Sequence, residues 1–317
     1  AYELHLYPLN KAFTGLSRPY PKAIHQRYHP DLLARLQLDD IPILFEGLAS
    51  TYYLTHGDLR RRKCLVRLPR VEWRHEQRLT HFDRGLDRQY AQSREAKRWQ
   101  KFEATLGAAD HLLVMSESHK TYYEGIGPCS LIPPFHGHRR VSSSLGRGDY
   151  FLFHGDLSRP DVHAAAMFLV QQIFSDLSMI PLVIAGDHPG PELISVISNF
   201  EHITLKPEPG RGELAEMLHQ AHGHVLPSFA AGPISHRLIN ALFMGRFVVV
   251  NPDMVGGTGL AFGTDLAQDP DEMKRLIFDL WHRAFTEIDL AQRKAAIGGS
   301  YDDQANAKKI IEILRQK

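Results

Sequence analysis

Tyr150-Phe151-Leu152-Phe153 is a short apolar run that ends in the polar turn His154-Gly155-Asp156-Leu157-Ser158, and the same event recurs downstream. Pro181-Leu182-Val183-Ile184-Ala185 ends in Gly186-Asp187, His224-Val225-Leu226 in Pro227-Ser228, and Phe247-Val248-Val249-Val250 in Asn251-Pro252. Continuous apolar runs, as opposed to alternating ones, belong to strands covered on both faces, and helical stretches separate these runs. The pattern is α/β: a parallel sheet wrapped by helices. In such sheets ligands bind beyond the carboxyl ends of the strands, where these turns collect. The functional site is expected along this row.

Outward from that stretch, the first half alternates in the same way. Strands are expected at 3–7, 41–45, 64–68, 111–115 and 130–132, and helices at 30–36, 51–60, about 72–106 and 117–124. Pro133-Pro134 closes the last of these strands. The segment 135–148, rich in Gly, His, Arg and Ser and without apolar periodicity, reads as a linker. This gives a first domain over 1–148, a second over 149–298, and a C-terminal helix over 299–317 that packs back on the first. In the second domain a helix is expected to start near Pro160-Asp161. After the glycine-rich turn at 255–259, Asp269-Pro270 starts another, and two helical stretches, 273–287 and 302–315, finish the chain.

Composition narrows the function classes. A chain of 317 residues exceeds what one core usually organises, and 43% apolar with 23% charged residues is ordinary globular composition. A formal net charge of +1 gives no global argument for a nucleic-acid partner. No apolar run approaches the ~20 residues of a membrane span, and Ala1-Tyr2-Glu3-Leu4-His5-Leu6 does not read as a signal peptide. Cys64 and Cys129 lie in strand-like runs and read as reduced core residues, which favours the cytoplasm. One basic cluster, Arg60-Arg61-Arg62-Lys63 with Arg67, Arg70, Arg74 and Arg78, has two readings. It is a solvated helix face, or a surface meeting anionic lipid or a phosphate-bearing acceptor at the inner face of the membrane. Trp73, Trp99 and Phe102 among these charges suit an interfacial contact and a core-facing stripe equally.

Two turns are candidates for chemistry, against the plainer readings of a tight turn at Gly155 and of solvated helix residues at Arg237 and Asn240. Gly155 lets backbone N–H groups approach an anion, and the orphan amides of the helix after it face the same cleft. Gly232-Pro233-Ile234-Ser235 precedes a helical run over 234–244 and has the favoured glycine–proline order of a helix N-terminus, a second anion point. Arg237 and Asn240 share a face of that helix, where Arg237 can neutralise a diphosphate and Asn240 can bond a ribose or sugar hydroxyl. Metal sites look poor: there is no close cysteine pair and no H-E-x-x-H, and His136, His138, His219, His222 and His224 read as surface histidines. Neither a P-loop nor G-x-S-x-G occurs.

The row of turns resembles the carboxy-terminal half of the GT-B glycosyltransferases, family-four type. Phe153-His154-Gly155-Asp156-Leu157, Leu182-Val183-Ile184-Ala185-Gly186, Ile203-Thr204-Leu205, 213–218, Val225-Leu226-Pro227-Ser228 and 238–249 follow that family's order and spacing. The first half matches it in its βα pattern and in 109–116. The resemblance implies two Rossmann-like domains with parallel sheets facing a central cleft. The nucleotide-sugar donor, UDP- or GDP-linked, would lie on the second domain and a saccharide or lipid-linked acceptor on the first. It implies retaining, metal-independent transfer without a tightly bound cofactor, the leaving diphosphate being met by basic residues and helix dipoles. Carried over by position, donor contacts fall on His154, Gly155, Asp156, Ser228, Gly232, Pro233, Ile234, Arg237 and Asn240. Arg237, His75 and Glu46 are the candidate catalytic residues, with Arg70 beside the acceptor.

Three departures stand out. Family carboxylates are replaced by Asn240 and Gly232, no histidine stands in line after 64–68 (His75 is nearest), and the glycine-rich turn after the family's first strand is absent. The first domain is therefore expected to be incomplete. The alternatives are a GT-B-like binding protein that has lost catalysis, and another sugar-nucleotide enzyme on the same scaffold.

Overall fold

The computed structural model describes residues 3–10, 19–55, 59, 62–80, 85–229 and 234–316. Two compact units divide the chain: Ala1–Ile132 with Ala307–Lys317, and Pro133–Asn306.

The first unit holds a four-stranded parallel sheet in the order β1 (Ile43–Glu46), β2 (Cys64–Leu68), β3 (His111–Val114), β4 (Cys129–Leu131). Its core gathers Val66, Leu68, Leu112 and Val114 from the central strands with Trp99, Phe102 and Leu106 from the helical layer. Trp99 and Phe102 are thus the core-facing stripe, and Trp73 donates its indole N–H to Tyr122 Oη at 3.0 Å. The long helix expected over 72–106 is two helices, Glu72–Leu79 and Leu86–Glu103, the second entered through Gly85 and ending in a 3-10 turn, Ala104–Ala108. Thr51 lies in a 3-10 helix, Leu48–Tyr53, that begins earlier than expected. Residues 3–7 form no strand; Leu4 and Leu6 are exposed, and Glu3 pairs with Arg35. Of the basic cluster, Arg60 and Arg61 fall outside the described residues. Arg62 is buried, bonding the carbonyls of Ile41 and Leu36 and pairing with Asp39 at 3.1 Å, so it staples loops together. No described helix is long and apolar enough to cross a membrane.

The second unit holds six parallel strands: β5 (Phe151–His154), β6 (Leu182–Gly186), β7 (Ile203–Pro207), β8 (Gly223–Val225), β9 (Phe247–Val250) and β10 (Asp265–Leu266). Their order is β10-β9-β8-β5-β6-β7. The chain grows outward from β5 through β6 to β7, then returns to β5's other side and grows outward again through β8, β9 and β10. That reversal lies between β5 and β8 and opens a crevice at their carboxyl ends. Strands β5 and β9 are buried at every position, as continuous apolar runs require.

The segment read as a linker runs with this unit. Ser142 N–H donates to Phe243 O at 2.7 Å, Gly146 pairs with Phe285, and Gly148 N–H donates to His222 Nδ1 at 3.1 Å. His222 and His224 are not surface histidines but fully buried staples, His222 Nε2 on Leu280 O at 2.7 Å and His224 Nε2 on Leu218 O at 3.1 Å. A helix absent from the expectation, Glu287–Ile297, separates Pro270–Trp281 from Asp303–Arg315.

Candidate functional site

The turn after β5 is fixed by its neighbour strand. Gly155 N–H donates to Ala185 O at 3.0 Å and Leu157 N–H to Asp187 O at 2.9 Å. The approach is close: a Cβ at Gly186 would stand 1.9 Å from Gly155 O, so only glycine fits there. Asp156 is exposed and folds over Ser158, accepting its N–H at 3.1 Å and its hydroxyl at 2.6 Å, which holds its carboxyl below the usual range. His154 is buried, and burial beside His224 and Arg237 drives its pKa well below the ordinary imidazole value. It is a neutral core ring whose backbone carbonyl faces the site.

Across the switch point, Gly232 and Pro233 lie outside the described residues. Ile234 is buried, and the helix runs His236–Met244, two residues shorter than the expected 234–244. Its cap is Ser235, whose Oγ accepts the Arg237 N–H at 3.2 Å, a short polar side chain replacing an orphan partner. From this first turn Arg237 reaches back to the β5 end. Its Nη1 donates to His154 O at 3.3 Å and its guanidinium lies 5.5 Å from the Phe153 ring centre. A Cβ added at Gly155 would stand 3.1 Å from Arg237 Cδ and 3.0 Å from Val162 Cγ1. Gly155 and Arg237, far apart in the chain, are one site.

Two arginines in this unit, Arg246 and Arg293, are buried and a third, Arg237, is half-buried, and they are spent differently. Arg246 serves the carbonyls of His219, Gln220 and Ala221 (2.7, 3.1 and 2.8 Å) at one helix end. Arg293 serves those of Leu242, Gly245 and Arg246 (3.2, 3.4 and 2.6 Å) at another. Arg237 has, among the described residues, the one long bond to His154 O. Burial pulls its pKa down to about 10; Asp161, whose charge favours it, is already taken by Arg159 at 2.8 Å. A partly desolvated guanidinium with most of its five donors unspent is a receptor for an anion.

Ser228 is tied to Asn251: its N–H donates to Asn251 Oδ1 at 2.9 Å, and Asn251 Nδ2 donates to Ser228 O at 2.6 Å. Asn251, the turn residue after β9, holds the β8 loop and was not singled out from sequence. Asn240 is half-buried, its Oδ1 bonded by His138 Nε2 at 2.9 Å. An amide oxygen only accepts, so His138 donates and Asn240 keeps its NH2 as a donor.

No family model and no curated protein matches the sequence. Solved structures do match in shape. TarM superposes with a TM-score of 0.64 at 12% identity, over 90% of this chain and 57% of its own. The α,α-trehalose-phosphate synthase (UDP-forming) of Burkholderia xenovorans, in complex with glucose-6-phosphate, gives 0.61 at 9%, covering 93% and 80%. The pneumococcal O-GlcNAc transferase GtfA, in complex with UDP and GlcNAc, gives 0.60 at 13%, covering 90% and 60%. The fold is GT-B.

The chain spans a little over half the length of TarM. In the first unit of this GT-B chain, Glu46 ends β1 and pairs with Arg67 of β2 at 3.1 Å, its partner in strand register. Arg70 Nε donates to Glu72 at 2.9 Å. His75 is half-buried in the helix Glu72–Leu79, its N–H on Val71 O at 3.1 Å. Glu46 and Arg70 are thus each engaged by a neighbouring opposite charge. Behind them Glu103, buried, accepts from Tyr122 Oη at 2.5 Å and Tyr123 Oη at 2.9 Å, a network that no sequence spacing announced.

Proposed function

We propose that this protein transfers a sugar from a nucleotide-diphosphate sugar, UDP- or GDP-linked, to a saccharide or lipid-linked acceptor. The reading is carried by Arg237: a half-buried guanidinium, sparsely bonded, at the crevice between β5 and β8 and against the Gly155 turn. A diphosphate there accepts the unspent guanidinium donors of Arg237 and lies at the positive end of the helix His236–Met244, which replace the water that burial removed. As the bond to the sugar breaks, negative charge grows on the leaving diphosphate, and fixed donors favour that state over the ground state. This accounts for the charge with the chain's own residues; retention is carried over from the family-four resemblance. The named ligands of TarM's S. aureus complex (fondaparinux, α-GlcNAc-glycerol and UDP) and of GtfA are of this donor and acceptor kind. Glu46, Arg70 and His75 are proposed on the acceptor side, and a peripheral contact with the inner membrane face goes with a lipid-linked acceptor.

Asn240 and Gly232 in place of two acidic residues keep a second reading in play, a binding protein without turnover. Titration calorimetry with UDP and GDP tests the site. Arg237→Ala should weaken binding by about 1.5–3 kcal/mol, the worth of a charge-assisted hydrogen bond. Unchanged affinity removes Arg237 and the reading with it. Binding without sugar transfer to a panel of saccharide acceptors selects the second reading.

A further inference from the structure

A second cavity of the same unit, about 480 Å³ in volume, lies between the segment after Pro134 and the turn that follows the helix Glu287–Ile297. That size falls within the ~300–1,000 Å³ of small-molecule sites. Its walls are pinned. The His136 side chain is fully enclosed, its Nε2 on Tyr301 O at 2.8 Å. The N–H groups of His136 and Gly137 donate to the Asp303 carboxylate, the latter at 2.7 Å, and the His138 ring stacks on Phe243 at 5.1 Å.

The charges around the cavity are unequal in their engagement. Both acidic residues are used inside the fold: Asp303 as above, and Asp302 by the N–H groups of Gln304 and Ala305 at 2.8 and 3.0 Å. Arg139, Arg140 and Lys294 also line the cavity, exposed, and none has an ion pair among the described residues. Gly298 and Gly299 leave open space where side chains would stand. A pre-formed pocket with three unpaired cations against two carboxylates, each carboxylate turned onto backbone N–H groups, is net positive and selects an anion; guanidinium forks match phosphate oxygens.

We propose that this cavity binds a phosphate-bearing small molecule, with Arg139, Arg140 and Lys294 holding the phosphate. The site is distinct from the Arg237 crevice and does not depend on the sugar-transfer reading. Calorimetric titration of the full chain with inorganic phosphate, glucose 1-phosphate and glucose, at about 0.15 M salt so that diffuse attraction is screened, tests it. Saturable binding of either phosphate compound, weakened at least tenfold in Arg139→Ala/Arg140→Ala and in Lys294→Ala but kept in Arg237→Ala, supports the proposal. Tighter binding of glucose 1-phosphate than of phosphate identifies a sugar phosphate; the reverse identifies the free ion. The variants are of exposed side chains, and unchanged thermal melts check that they fold. No saturable binding, glucose binding as tightly as its phosphate, or binding lost in Arg237→Ala and kept in the cavity variants overturns it.

Discussion

If Gly155 only left room for a phosphate, as its sequence context suggests, a larger side chain would harm binding more than folding. Its surroundings alter that balance. The space a Cβ would enter is held by Val162 and by Arg237 itself, at 3.0 and 3.1 Å. Gly155→Val should therefore cost stability, about 1–3 kcal/mol as overpacking does, and displace the guanidinium in the same stroke. Denaturant melts and UDP titration should show both losses; full stability with full affinity would mean the turn adjusts freely. The neighbouring histidines make a second expectation. Burial, with His224 and Arg237 nearby, depresses His154; burial, against Leu218 O and near Arg293, Arg246 and His219, takes His224 down to about 3. Below the ordinary value of 6.5 the unfolded chain binds protons that the fold refuses. The stability tied to these rings is complete above that pH and drains as pH falls, by about 1.4 kcal/mol per pH unit for each ring until its folded pKa is reached. Melts should weaken from pH 7 to pH 5, and NMR should find both rings neutral at pH 5. Titration of either near 6.5 would contradict their burial.

At the scale of elements, the strands of the second unit were legible because burial on both faces writes itself as an unbroken apolar run, as in Phe247-Val248-Val249-Val250. The pairing of the β5 turn with the helix of Arg237 followed from topology: in a parallel sheet, turns at the carboxyl ends meet whatever their sequence distance. What escaped reading had local causes. The break between Glu72–Leu79 and Leu86–Glu103 hides in a stretch whose charges continue helical composition on both sides. Asn240's partner, His138, comes from a segment with no periodicity, and its contact exists only in three dimensions. The helix Glu287–Ile297, by contrast, carried a readable start. Thr286 Oγ1 accepts the Asp289 N–H while the Asp289 carboxylate accepts the Thr286 N–H at 2.8 Å. This reciprocal cap satisfies two groups that would otherwise have only water. Thr286→Ala should lower stability by about 1 kcal/mol, within the ~0.5–2 of such caps. Thermal melts check this, and no shift would mean that the buried Arg293 and Ile297 hold the helix without the cap.

For the molecule as a whole, the chain's end is counted with its beginning: residues 307–317 belong to the compact unit that starts the sequence. The helix Asp303–Arg315 lines one groove with β4 and its surroundings through Lys309, Glu312 and Ile313, and Lys63 bonds Gln316 O. Ile310 and Ile313 are each 8% exposed. Fully burying an isoleucine contributes about 1.5–3 kcal/mol, so this pair alone is worth roughly 3–6. That is a large share of the ~5–15 kcal/mol that a whole domain has to spare. Removing residues 307–317 should loosen the first unit selectively. Hydrogen exchange reads the effect directly: the Leu112 and Ile132 amides, bonded to Pro128 O and Val114 O, should lose protection, while the Phe151 and Leu182 amides of the second sheet keep theirs. If protection falls equally in both sheets, the two units melt as one and the C-terminal helix is not the first unit's own. If it falls in neither, the isoleucines stabilise little, and the β4 side of the sheet is held by the helix Glu117–Tyr123 instead.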